Sequence, residues 1–277
     1  MGDHTAGTLD TIIEHNAPYW VGEYAVAYEY FTARKRTQAT DVQWLELQMF
    51  KEWTGSAVYG DRTVTVTGVI KSALDQLYSI ESGGKVDSLE AISNLLRFGL
   101  DEFNHFTILY EIYRRLVDGN TIPILEMGHL PEAKNIVEVR QQYRESHPDG
   151  NLIVDLTEGG GLGMYFGISD AFAKTGIRGE TDELIREFAR MTIRDETEHM
   201  SHRFSKAAAL GLSSKQWREV DENLQKLFAA KLRERNEQFG YVFPPEKLEA
   251  FAAGIEAGQE YVRRNLPFLG SYLKQAA

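Results

Sequence analysis

Apolar residues recur at three- and four-residue spacing along almost the whole of this chain, and that period points to helix rather than strand. It predicts helices at about 17–36, 40–58, 62–82, 88–118, 131–146, 151–174, 180–209, 213–239 and 245–264. The breaks between them have local causes. Ser82-Gly83-Gly84 ends one helix, Pro123 and Pro131 fence a loop, and His147-Pro148-Asp149-Gly150 reads as a turn. Thr181 is a plausible N-cap, and Pro244-Pro245 opens the last long helix. Thr63 to Thr67 alternates like a strand, but a lone strand has nothing to pair with, so it reads as a β-branched patch in a helix. The expected fold class is all-α, a single helical domain over 1–277 built on two long helical hairpins with flanking helices.

Composition removes several function classes. There is no cysteine, so a thiolate nucleophile, a disulfide and a Cys-ligated zinc or iron–sulfur site are all excluded, and any metal must sit on nitrogen and oxygen. A net charge of −11 argues against nucleic acid as a partner. No apolar run approaches the ~20 residues of a membrane span, and Met1 to Asp10 lacks the basic and apolar regions of a secretory signal, so no membrane partner and a cytoplasmic location are expected.

One pattern occurs twice: Asp101-Glu102-Phe103-Asn104-His105 and Asp195-Glu196-Thr197-Glu198-His199. With 27 glutamates and 7 histidines in 277 positions, about 0.7 Glu-x-x-His matches are expected by accident. Glu126-Met127-Gly128-His129, in the proline-fenced loop and without the Asp, fits that accident. Two copies preceded by Asp, each within a helix, do not. Residues i and i+3 share a helix face, so a carboxylate and an imidazole at that spacing can reach one metal ion. Both pairs also fall in apolar stripes, which run through Ile92, Leu95 and Phe106 on one helix and Ile185, Phe188 and Phe204 on the other. Charges placed in a core stripe need partners, and a shared cation supplies them.

Paired Glu-x-x-His helices resemble the ferritin-like di-iron carboxylate proteins, four-helix bundles that add a carboxylate from each of two further helices. With the Asp in front, the motif is similar to that of bacterial di-iron monooxygenases and the ribonucleotide reductase small subunit, and the likeness covers about residues 60–210. The resemblance implies metal ligands Glu102, His105, Glu196 and His199, with Asp101 orienting His199 and Asp195 orienting His105. It implies Glu158 as the carboxylate of the second hairpin, with Asp155 as runner-up. In the first hairpin its usual spacing points to residues 64–72, which hold no acid and are flanked by Asp61 and Asp75, so Asp61 is the expected ligand; if it fails, the site is asymmetric, binds one metal weakly, or has Lys71 near the ligand layer. His202, one turn beyond His199, is a candidate extra ligand or a surface residue. Leu109 stands where the reductase carries its radical tyrosine, which argues against that role.

Gly159, Gly160, Gly161, Gly163 and Gly167 read either as close helix packing or as space beside the metals. The aromatic run from Tyr19 to Phe31 reads as a packing face, with a substrate channel or partner surface as the alternative. The resemblance implies two iron ions, with manganese suited to the same donors. It also implies O2 and a small organic substrate, oxidised by hydroxylation, N-oxygenation, epoxidation, desaturation or oxidative cleavage. No flavin or iron–sulfur motif is present, so a separate electron donor, a reductase or ferredoxin, is expected. The alternatives are an iron-storing or peroxide-detoxifying ferritin-like protein, and a non-catalytic bundle in which the motifs are buried ion pairs. A large cage would favour storage; a monomer or homodimer would favour an enzyme.

Overall fold

In this computed structural model helix α1 (Leu9–Thr32) buries 13 of its 24 residues, among them Ile12, Trp20, Val26 and Phe31, so it needs neighbours on most of its sides, while Glu29 faces water. The structure describes residues 9–33, 36–54, 66–83, 88–117, 119, 122–123, 130–157 and 159–269. Among them the fold is all-α, without a strand. The chain divides into two compact units. Unit 1 is Met1–Thr40 with Leu130–Ala277, and unit 2 is Asp41–His129, so unit 2 is inserted into unit 1. The span of about 60–210 expected to carry the metals is therefore shared between them.

Unit 1 holds α1, α5 (Pro131–Ser146), α6 (Gly150–Leu156), α7 (Gly159–Thr175), α8 (Glu180–Ala208), α9 (Ser214–Gln238), α10 (Pro245–Ala252), α11 (Ile255–Asn265) and a 3-10 turn at Pro267–Leu269. Helices α7, α9, α10 and α11 pack around α1. Trp20, Tyr30 and Phe31 of the aromatic run are buried there, which bears out its packing role. Gly163 and Gly167 of α7 lie against the α1 backbone: a Cβ at either would stand 2.4 Å from the carbonyl oxygen of Trp20 or Tyr24. Two of the five glycines thus serve close packing, while a Cβ at Gly161 would meet nothing within 4 Å.

Buried charge in unit 1 is matched by protein groups. Arg235 Nε donates to Glu23 Oε2 at 3.1 Å, joining α9 to α1 with both side chains buried. Glu237 Oε2 accepts the backbone N–H groups of Glu132 and Ala133 at 2.9 and 3.0 Å. That caps α5, whose own N-cap residue Leu130 has no side-chain oxygen to offer. The helix expected at 151–174 is split into α6 and α7. The Thr157 hydroxyl turns back to the Val154 carbonyl at 2.6 Å, the buried Lys231 ammonium takes the Thr157 carbonyl at 2.7 Å, and Arg140 donates to the Thr157 hydroxyl at 3.1 Å. The helix expected at 245–264 is likewise broken, at Ala253-Gly254. Gly179, not Thr181, stands at the N-cap of α8, and Thr181 lies in the first turn.

Unit 2 holds most of α2 (Gln38–Thr54), with α3 (Val66–Glu81) and α4 (Leu89–Leu116). Ser88 caps α4 by accepting the Ala91 N–H at 2.9 Å, and Gly83, at φ +70°, closes α3. Val66 and Thr67 open α3 as helix, and residues 63–65 lie outside the described set. Among the described residues, no helix is long and apolar enough to cross a membrane.

The glycine contacts predict opposite effects from one substitution. Gly163→Ala overpacks the α1–α7 seam and should cost about 1–3 kcal/mol, lowering the thermal midpoint by several degrees. Gly161→Ala meets nothing and should be neutral or stabilising by up to about 1 kcal/mol. Thermal unfolding followed by circular dichroism distinguishes them.

Candidate metal centre

The metal-ligand candidates of unit 2 sit on α2 and α4. On α4 the i, i+3 spacing puts Glu102 and His105 on one face, and both are buried, His105 completely. His105 Nδ1 stands 4.0 Å from Glu102 Oε2. The third member is Glu52 of α2, whose Oε2 lies 3.1 Å from His105 Nδ1. Its other oxygen, Oε1, accepts from the Gln48 side chain one turn earlier at 2.5 Å. One donor atom from each of Glu52, Glu102 and His105 falls within 4.8 Å of the others. Donors about 2.1 Å from one ion stand roughly 3–4 Å apart, so this set is spaced to hold a cation.

The electrostatics fit as well. Burial pushes the Glu52 carboxyl upward. The hydrogen bond and positive charge of His105, with hydrogen bonds from Gln48 and Glu102, outweigh burial and hold it below the ordinary 4.5. The carboxylate form is therefore the one that the protein favours. Asp41, Glu52 and Glu102 are buried acids of unit 2, whereas no described lysine or arginine of that unit is buried. Asp41 accepts from the Trp44 indole N–H at 3.1 Å. Around the pair, Trp53 packs on Phe106 with ring centroids 4.9 Å apart, and Leu109 is fully buried one turn beyond His105.

In unit 1, α8 repeats the arrangement. His199 Nδ1 stands 3.6 Å from Glu196 Oε2, and both side chains are largely buried. Asp195 accepts from Arg194 Nε at 2.8 Å, and Asp101 is half-buried on α4. Glu198 and His202 are exposed. Asp155 is half exposed, with its carboxylate 3.9 Å from Arg203. Lys71 is exposed on α3, away from any ligand layer. Glu158, Asp61 and the third Glu-x-x-His, Glu126 to His129, lie outside the described residues.

Glu52 is the residue that sequence reasoning passed over. A signal for it existed: Gln48 and Glu52 are polar residues one turn apart among Leu45, Met49 and Trp53 of an apolar stripe. The family spacing directed attention to residues 64–72 and so to Asp61. No protein-family model, curated protein or solved structure matches the chain.

Two outcomes follow. Glu52→Gln should weaken Fe(II) or Mn(II) binding by about tenfold or more, read by anaerobic metal titration. Because the folded Glu52 carboxyl lies below 4.5, its contribution to stability is complete above that pH and is lost as the pH falls through the lowered value. Denaturant unfolding of metal-free protein between pH 7 and 3 should therefore show a smaller acid loss in Glu52→Gln than in wild type.

Proposed function

We propose that the protein is a non-haem di-iron oxygenase or oxidase of ferritin-like type, acting on a small organic substrate. The observation that carries this reading is the buried grouping of Glu52, Glu102 and His105, one donor atom of each within 4.8 Å of the others, at a Glu-x-x-His pair that α8 repeats. Two carboxylates with an imidazole are donors suited to iron or manganese. In this reading Glu52, Glu102 and His105 form one half of the ligand set. Glu196 and His199 form the other, with Glu158 as the further carboxylate. The bound metals supply O2 activation.

The chain's own residues supply the rest. Gln48 fixes one oxygen of Glu52 and so aims the other at His105. Trp53, Phe106 and Leu109 line the neighbourhood with apolar surface, which keeps bulk water from reactive oxygen species. Electrons come from a separate reductase or ferredoxin, or from the substrate itself.

Anaerobic Fe(II) titration should give about two irons per chain, and rapid mixing with O2 should give a transient visible absorbance that candidate substrates make decay faster. The double variants Glu102→Ala/His105→Ala and Glu196→Ala/His199→Ala should each lower iron content and cut O2 consumption on the order of 100-fold or more. Failure to bind iron stoichiometrically, or binding untouched by both double variants, overturns the reading and leaves the motifs as buried ion pairs. A large hollow assembly that accumulates many irons per chain would instead make the protein a store.

A further inference from the structure

The apolar surface that unit 2 leaves in water is concentrated on one side of the α3–α4 hairpin. On α4, Leu89 is 68% exposed and Leu100 57%, with Leu96 and Phe103 also exposed; on α3, Tyr78 is 61% exposed, with Ile70 and Leu74. At about 100° per residue, the four on α4 fall within roughly 60° of the helix circumference. The same rotation places them about 160° from the Glu102–His105 face, so they lie on the far side of the helix from the metal ligands. The seam between the helices is marked by Gly99, where a Cβ would meet Ile70 and Val69 at 3.3 and 3.5 Å. Residues 70 and 99 are nearly equidistant from the 82–88 connection, so the helices run antiparallel. Rotation from seam to exposed stripe has the same sense along each helix, and in an antiparallel pair that puts both stripes on one side.

We infer that this face, formed by Ile70, Leu74 and Tyr78 of α3 with Leu96, Leu100 and Phe103 of α4, is where a second copy of the chain docks. The two hairpins then close into an antiparallel four-helix arrangement. Area is the first argument. The six residues are each 39–61% exposed, which amounts to roughly 600 Å², the upper end for the largest apolar patch of a typical monomer. Covered on two copies, that is about 1,200 Å², within the range of specific interfaces. Charge is the second. Beside its apolar stripe each helix carries a cation four residues before an acid, Lys71 with Asp75 on α3 and Arg97 with half-buried Asp101 on α4, with the exposed Glu81 and Glu90 as further acids of this side. When a two-fold axis lies in the interface, along or across the helices, each helix meets an antiparallel one. The order cation-then-acid then faces acid-then-cation, so the face complements itself.

The test uses the full chain without metal, which separates it from the di-iron reading. Sedimentation velocity between about 1 and 100 μM should give twice the chain mass. Leu96→Glu/Leu100→Glu, at already exposed positions, should weaken dimerisation at least 100-fold with helical circular dichroism unchanged. Leu210→Glu, an exposed leucine of unit 1, should leave it intact. Because the chain has no cysteine, Ser93→Cys gives a single spin-label site beside the stripe, and a dipolar distance in the dimer range is expected from it. A monomer at 100 μM, or a dimer that survives Leu96→Glu/Leu100→Glu, overturns the proposal; the first outcome would assign the face to a different protein.

Discussion

Two carboxylates and an imidazole, all buried and with donor atoms within 4.8 Å of one another, are the constraint on which unit 2 depends. Each buried ion costs several kcal/mol to desolvate, and that cost is recovered only with good geometry and satisfied oxygens. Glu52 meets both conditions, because Gln48 holds one oxygen and His105 the other. The contact also ties α2 to α4 across 53 residues of sequence, and Tyr113 donating to Glu46 at 3.1 Å repeats the tie two turns further along α4. A helix pair joined at two levels can neither slide nor rotate freely. The ligand geometry and the register of the helices are therefore one property.

Other buried charges, in unit 1, meet protein groups. Glu23 has Arg235, Lys231 has the Thr157 carbonyl, and Glu237 has the first N–H groups of α5. At Glu52 and Glu102 the neighbouring groups are instead Gln48 and the His105 imidazole, a set that also suits a metal ion.

Helix periodicity made most of the fold legible, because a 3.6-residue period survives whatever the helix packs on. What was not legible depended on partners distant in sequence. The break at Thr157 is held by Lys231 and Arg140, and nothing near residue 157 announces either. The first helix, expected from about residue 17, starts at Leu9 and carries Pro18 in its interior. At the site, Glu102–His105 and Glu196–His199 could be read because both ligands of each pair lie on one helix, where sequence spacing is spatial spacing. Glu52 could not, because its distance from His105 is set by how α2 packs on α4. The glycines of α7 left two readings open, and only the approach of the α1 backbone chose packing for Gly163 and Gly167.

The insertion of unit 2 into unit 1 has a consequence for how the chain is made. Synthesis runs from the N-terminus, so α1 is translated before the helices that cover it, α7, α9, α10 and α11. Unit 2 is complete once residue 129 has emerged, while Trp20, Val26 and Phe31 of α1 still lack those covering helices. The inserted unit can therefore fold before the unit that brackets it can close on its own first helix.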